Sequence, residues 1–194
     1  MARTTTKRWN TDTTIIILKV TLRGTKPPIW RRLLMPGAMT LADLHDAIQG
    51  AMGWHDSHLH AFEIGGEQFG DPSLIDDATD ERSVTLVELL LSSCIRFTYT
   101  YDFGDDWEHT IAFEKARPAA EGEALPRCLA GKRAGPPEDC GGVWGYQRLL
   151  EVLADPAHPE YAEQREWIED ELDPEIFDID HANTMLKSIF SPRQ

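Results

Sequence analysis

Long hydrophobic runs, cysteines and positive charge are all scarce in this chain of 194 residues, and each shortage excludes something. No apolar stretch approaches the roughly 20 residues that a membrane-spanning helix needs. The longest, residues 15–18 and 89–91, suit a strand or a buried helix. No apolar segment of the kind carried by a secretory signal opens the chain. Three cysteines, Cys94, Cys128 and Cys140, form neither a C-x-x-C pair nor an even framework, which predicts a reducing, cytoplasmic location. The spacing of Cys128 and Cys140 fits no compact zinc module. Lys and Arg number 19 against 33 Asp and Glu, for a formal charge of −14. A surface this acidic repels phosphate backbones and anionic membranes, so neither duplex DNA nor a membrane is an expected partner. A small basic cluster, Arg3, Lys7 and Arg8, lies in a polar segment, residues 1–13, that reads as a disordered tail. Gly-rich phosphate loops, G-x-S-x-G elbows and H-E-x-x-H helices are also missing, which weighs against the commonest enzyme classes and leaves open an enzyme with dispersed residues.

What the chain does have is an alternating aromatic segment, IRFTYTYDFGDDWEHTIAFEK, over residues 95–115. Phe97, Tyr99, Tyr101 and Phe103 recur at period two, as do Trp107, His109, Ile111 and Phe113, which predicts a β-hairpin with one apolar face. A three-residue turn, Gly104-Asp105-Asp106, pairs Tyr101 with His109 and Tyr99 with Ile111. A two-residue turn would send one strand's apolar set to the wrong face. The preferred register sets Asp102 opposite Glu108, and facing like charges cost up to roughly 1 kcal/mol. Hydration, a cation, or an arginine such as Arg31 or Arg32 would relieve them.

Around this hairpin the pattern predicts strands over residues 14–22, 29–35, 58–64 and 67–69, and a helix that Thr40 caps and Gly53 ends. Residues 71–83 read as loop and 86–91 as a short helix. Residues 116–142, rich in Pro, Gly and Ala, read as one long loop. Three helices follow: one with Tyr146, Leu149, Leu150 and Leu153 on a stripe, one opened by Pro159, and one capped by Asp180. The expectation is a single α+β domain over residues 14–190: a β-rich core (14–115) with a β-grasp-like mixed sheet packed on a helix and an added aromatic hairpin, then the loop, then a helical segment (143–190).

Chemistry-bearing residues are sparse. His58 and His60, two apart on an expected strand, share a face and with His109 form a possible metal set. Asp102, Glu138 and Asp139 are carboxylates that acid–base work or a divalent metal would use, although Glu138 and Asp139 equally suit a helix start. Core-rim histidines held by hydrogen bonds are the competing reading of the imidazoles. Trp54, Trp107 and Trp144 are of a residue type enriched at interfaces, and Arg31 and Arg32 offer charge to an acidic partner.

The motifs Pro28-Ile29-Trp30-Arg31-Arg32, Thr40-Leu41-Ala42-Asp43-Leu44-His45 with Gly53-Trp54, and His58-Leu59-His60-Ala61-Phe62 carry a resemblance. So do the hairpin from Tyr99 to His109, Pro136-Pro137-Glu138-Asp139-Cys140-Gly141-Gly142 and Gly145-Tyr146. Over nearly its whole length the chain resembles the plasmid pRiA4b ORF-3-like family, some members of which are known as passenger proteins of an insertion element. The resemblance implies an α+β domain found on plasmids, mobile elements and chromosomes, with no established activity. No recombinase-like serine or tyrosine motif accompanies it. Many relatives carry a cysteine just before Pro-Pro-Glu-Asp, where this chain has Gly135, so a shared cysteine-based zinc site would lack a ligand here. Two functions remain open. The first is a non-catalytic interaction module with a protein partner, linked to plasmids or mobile elements. The second is a metal-dependent hydrolase or other small-molecule enzyme built on the His/Asp cluster.

Overall fold

A computed structural model describes residues 13–168 and 172–191. The expected tail, apart from Thr13, and its basic cluster lie outside them. Eight strands form one sheet in the order β5-β4-β3-β6-β7-β1-β2-β8. β1 (Thr14–Leu22) alternates Leu18, Val20 and Leu22 inward against half-exposed Lys19 and Thr21, as a one-sided strand must. It pairs antiparallel with β2 (Trp30–Pro36) and with β7 (Trp107–Pro118). β6 (Arg96–Tyr101) joins β7 to β3 (His60–Ile64), and β3 continues to β4 (Glu67–Gly70). The short edge strand β5 (Thr79–Asp80) runs parallel to β4, which makes the sheet mixed.

Helix α1 (Leu41–Met52) starts on a capping box: Thr40 accepts from the Asp43 amide and Asp43 returns the bond to the Thr40 amide. It stops where Gly53 takes the left-handed conformation, φ 85°, which glycine adopts at little cost. Leu41, Leu44, Ile48 and Met52 face the sheet's buried residues Phe62, Tyr99, Tyr101 and Trp107 in one core. The remaining helices are α2 (Leu86–Leu91), α3 (Gly142–Ala154), α4 (Tyr161–Trp167) and α5 (Ile179–Phe190), with α5 against α1 and β8. The α+β class is therefore as expected, with the aromatic hairpin β6–β7 in the middle of the sheet rather than added to it.

Several details differ from the sequence reading. The hairpin register is displaced by two residues: Tyr101 pairs with Trp107, Tyr99 with His109 and Phe97 with Ile111. The turn is longer than three residues. Asp102 and Asp106 both take positive φ, 57° and 55°, and the Asp102 Oδ1 accepts from the Gly104 and Asp105 amides. Alternation specifies a register only to within two residues, so the inward faces were right while the pairing was not. Phe103 consequently sits in the turn, half exposed, and Asp102 no longer faces Glu108, whose partner is Thr100.

Arg23, not Arg31 or Arg32, makes the ion pair with Glu108. Arg32 is bidentate to Glu114 at 2.6 and 2.9 Å, at the far end of the same hairpin. Arg31 is 1% exposed and donates to the carbonyls of Ala51, Trp30 and Lys132 under the Phe177 ring. It serves the C-terminus of α1, and it is not open to a partner.

Trp54 and Trp107 are core residues, 4% and 0% exposed, so of the three expected interface tryptophans only Trp144, 82% exposed, lies on the surface. The supposed loop 116–142 contains the end of β7 and an eighth strand, β8 (Arg127–Lys132), paired with β2. The supposed loop 71–83 contains β5 and a 3₁₀ turn over Glu81–Ser83. Asp178, not Asp180, caps α5, accepting from the His181 amide at 2.9 Å.

Candidate metal centre

The cleft of greatest chemical interest opens where the N-terminal half of α1, the 53–59 loop and β3 meet. It has a volume of about 580 Å³ and is walled by His45, Asp56, His58, His60 and Glu81, with Leu74 and Ile75 opposite. His45 and Gln49 are one helical turn apart on α1 and so reach the same neighbour, the hydroxyl of Tyr99 on β6. The hydroxyl lies 2.7 Å from His45 Nδ1 and accepts from Gln49 Nε2 at 3.3 Å. Burial raises the Tyr99 pKa well above its usual 10, so the phenol keeps its proton and donates it to Nδ1. That assignment leaves the His45 proton on Nε2, 2.9 Å from Asp56 Oδ1. The His45 hydrogen bond in turn lowers the Asp56 pKa. Gln49 closes the circuit by accepting from the Asp56 amide at 2.9 Å.

His60 lies one layer away. Its ring stacks on that of His45, centroids 3.4 Å apart and planes within 7°, and its Nε2 is 2.8 Å from Glu81 Oε2. Two imidazoles each tied to its own carboxylate thus lie face to face, with His45 and Glu81 buried and Asp56 exposed. Donor atoms of His45, Asp56 and His60 lie within 4.8 Å of one another, close enough to bind one metal ion.

A second group adjoins it. His58 precedes β3 rather than belonging to it, so it does not share a strand face with His60. It turns instead to Asp139 Oδ1, 3.1 Å from Nε2, and Asp102 Oδ2, 3.7 Å away. Glu138 is engaged separately: it accepts a very short bond from the Tyr101 hydroxyl and one of 3.1 Å from the His55 amide. Burial and then that carboxylate raise the Tyr101 pKa. Asp56, Asp102 and Asp139, one or two carboxylates from each group, all hold positive φ, 56°, 57° and 58°. Aspartate tolerates this conformation better than most residues, and such outliers gather at functional sites.

Of the residues singled out from sequence, then, His58, Asp102 and Asp139 come together, His60 stands in the neighbouring group, and Glu138 braces the loop between. His109 joins neither. It is wholly buried between Trp54 and Tyr99, ring centroids 5.5 Å away, with no well-formed hydrogen bond to either ring nitrogen. Burial pushes its pKa down to about 4. Sequence reasoning missed His45, Asp56 and Glu81. His45 left a trace, a histidine on the apolar stripe of α1, but Glu81 lay in a stretch read as loop and left none.

Gly135 packs where a Cβ would run into the Met52 carbonyl oxygen. The backbone as it stands has no room there for a cysteine side chain.

A mixed α+β sheet with two histidine–carboxylate groups at one mouth is the class this architecture defines. Its family follows from comparison: the chain belongs to the plasmid pRiA4b ORF-3-like proteins, whose family model matches residues 14–181. It is 43% identical over 156 residues, 79% of this chain and 80% of the other, to the uncharacterized protein y4hQ of Sinorhizobium fredii (strain NBRC 101917 / NGR234). It is also similar to the crystal structure of a protein of unknown function, MM3350, from Methanosarcina mazei Go1. That match has 42% identity and a TM-score of 0.81 and covers 87% of this chain and 97% of that one.

Proposed function

We propose that this protein binds a divalent transition-metal ion at His45, Asp56 and His60, with Glu81 hydrogen-bonded to the His60 ring as its outer partner, and acts as a metal-dependent hydrolase on a small polar substrate held in the adjoining cleft. The observation that carries the reading is the stacked pair of imidazoles, each against its own carboxylate, at the wall of a cleft of about 580 Å³. Two imidazole nitrogens and one carboxylate oxygen, with a fourth position left for water, suit zinc or a neighbouring first-row ion. Tyr99 lies behind His45, as the partner that fixes a metal-ligating ring usually does. His45 would ligate through Nε2 only as the other neutral tautomer, with its single ring proton moved to Nδ1 and directed at the Tyr99 oxygen. A metal there supplies an activated water at neutral pH.

Calorimetric titration of metal-free protein with zinc tests this. One ion per chain should bind at the stacked pair with a Kd below about 10 μM, and Glu81→Gln should weaken it about 10–100-fold. Absence of binding tighter than about 10 μM, or binding indifferent to Glu81→Gln and His60→Ala, refutes the reading.

The interaction-module reading keeps one observation of its own, the 82% exposure of Trp144 near the start of α3. A large aromatic exposed to that degree suits contact with a protein partner. It is the reading to adopt if the zinc titration fails.

A further inference from the structure

We propose that a second divalent-cation site lies between the turn of the aromatic hairpin and the Pro-Pro-Glu-Asp segment, with His58, Asp102 and Asp139 as its protein ligands. The site shares no ligand with the stacked histidine pair and stands whether or not that pair binds metal.

His58 Nε2 is screened from solvent and makes no hydrogen bond of acceptable geometry, although two carboxylate oxygens lie 3.1 and 3.7 Å from it. A simple imidazole–carboxylate hydrogen bond would align the N–H with one oxygen, and here the nitrogen is aimed at neither. The donor atoms of the three residues lie within 4.8 Å of one another. Neighbouring ligands on an ion with bonds of about 2.1 Å are roughly 3–3.5 Å apart, so one ion spans the gap.

The oxygens are also held in place. Asp102 is 8% exposed, and its Oδ1 is occupied by the Gly104 and Asp105 amides, which turns Oδ2 toward His58. Among the described residues no lysine or arginine is ion-paired with Asp102 or Asp139. Two carboxylates brought together without a basic side chain favour a bound cation. One imidazole, two carboxylates and water in the remaining positions form a donor set suited to Mn²⁺.

The three ligands come from the segment before β3, the end of β6 and the segment before α3. An ion would therefore clamp α3 to the hairpin turn, where Gly141 already donates to Asp105 Oδ2 at 3.1 Å.

The test is a titration of the full chain with Mn²⁺, read by amide NMR broadening and by the electron-spin-resonance signal of free ion. Broadening centred on the amides of His58, Gly104 and Gly141 is expected, together with loss of one bound equivalent in Asp139→Asn and its retention in Glu81→Gln. Asp139 is exposed, so its variant should fold, as thermal melting would verify. Broadening confined to the surroundings of His45 and His60 overturns this site while leaving the first reading intact. Broadening at neither place up to about 1 mM Mn²⁺, or uptake unchanged in Asp139→Asn, also overturns it.

Discussion

His109 is a polar ring in a fully buried position with no good hydrogen bond, and burial holds its pKa near 4 against an ordinary 6.5. Because the folded value is the lower one, the neutral ring contributes its full share of stability above pH 6.5. The contribution is lost as pH falls from 6.5 toward 4, where the unfolded chain takes up a proton that the folded one refuses. The span corresponds to about 3 kcal/mol. Replacing the ring with one of similar shape and no polar atoms removes both the burial cost and the titration. His109→Phe should therefore raise stability at pH 5 by about 1–3 kcal/mol and flatten the dependence between pH 4 and 7, as urea unfolding at a series of pH values would measure. A variant as acid-sensitive as the parent would place the sensitivity elsewhere, in the carboxylates of Asp56 or Glu123, whose pKa values hydrogen bonding lowers.

At the scale of the element, α1 carries both His45 and Gln49, so its capping box is linked to the cleft. Thr40→Ala removes the acceptor for the Asp43 amide and should cost about 1 kcal/mol in chemical unfolding. If helix fraying extends to the second turn, zinc affinity should fall with it, and the calorimetry above would register that. Thr40 and Gly53 were legible because caps are local: one hydroxyl or one missing Cβ marks the boundary. β1 and the apolar faces of β6 and β7 were legible because period two needs only residue types. What was lost required three dimensions. The register of the hairpin depended on an aspartate side chain bonding within its own turn, and β8 is a short edge strand amid Pro, Gly and Ala that alternates too weakly to be seen. The same holds for the site. His58, Asp102 and Asp139 were recognisable as residue types, whereas the pairing of His45 with His60 arises only when α1 crosses β3, and Glu81 arrives from a stretch without pattern.

For the molecule as a whole, charge is the dominant fact. At −14 the surface opposes the counterion release that binding to a phosphate backbone depends on. The full chain should not bind duplex DNA more tightly than roughly micromolar at physiological salt, and a mobility-shift assay on random and on plasmid-derived sequences would check it. Tight, sequence-selective retardation would instead mean that a local patch overrides the total. No helix among the described residues is long and apolar enough to cross a membrane, in keeping with the absence of apolar runs in the sequence.

The place of β1 in the sheet bears on how the chain is made. Residues 14–22 pair on one side with residues 30–36, close by, but on the other with residues 109–118. β1 therefore waits, with one edge unsatisfied, until the much later residues 109–118 have been translated. Contacts of such sequence separation slow folding, and an open edge invites other strands in the meantime. The β1–β2 hairpin is thus the segment of the nascent chain that a holding chaperone would be expected to cover, and β7 the strand whose arrival would release it.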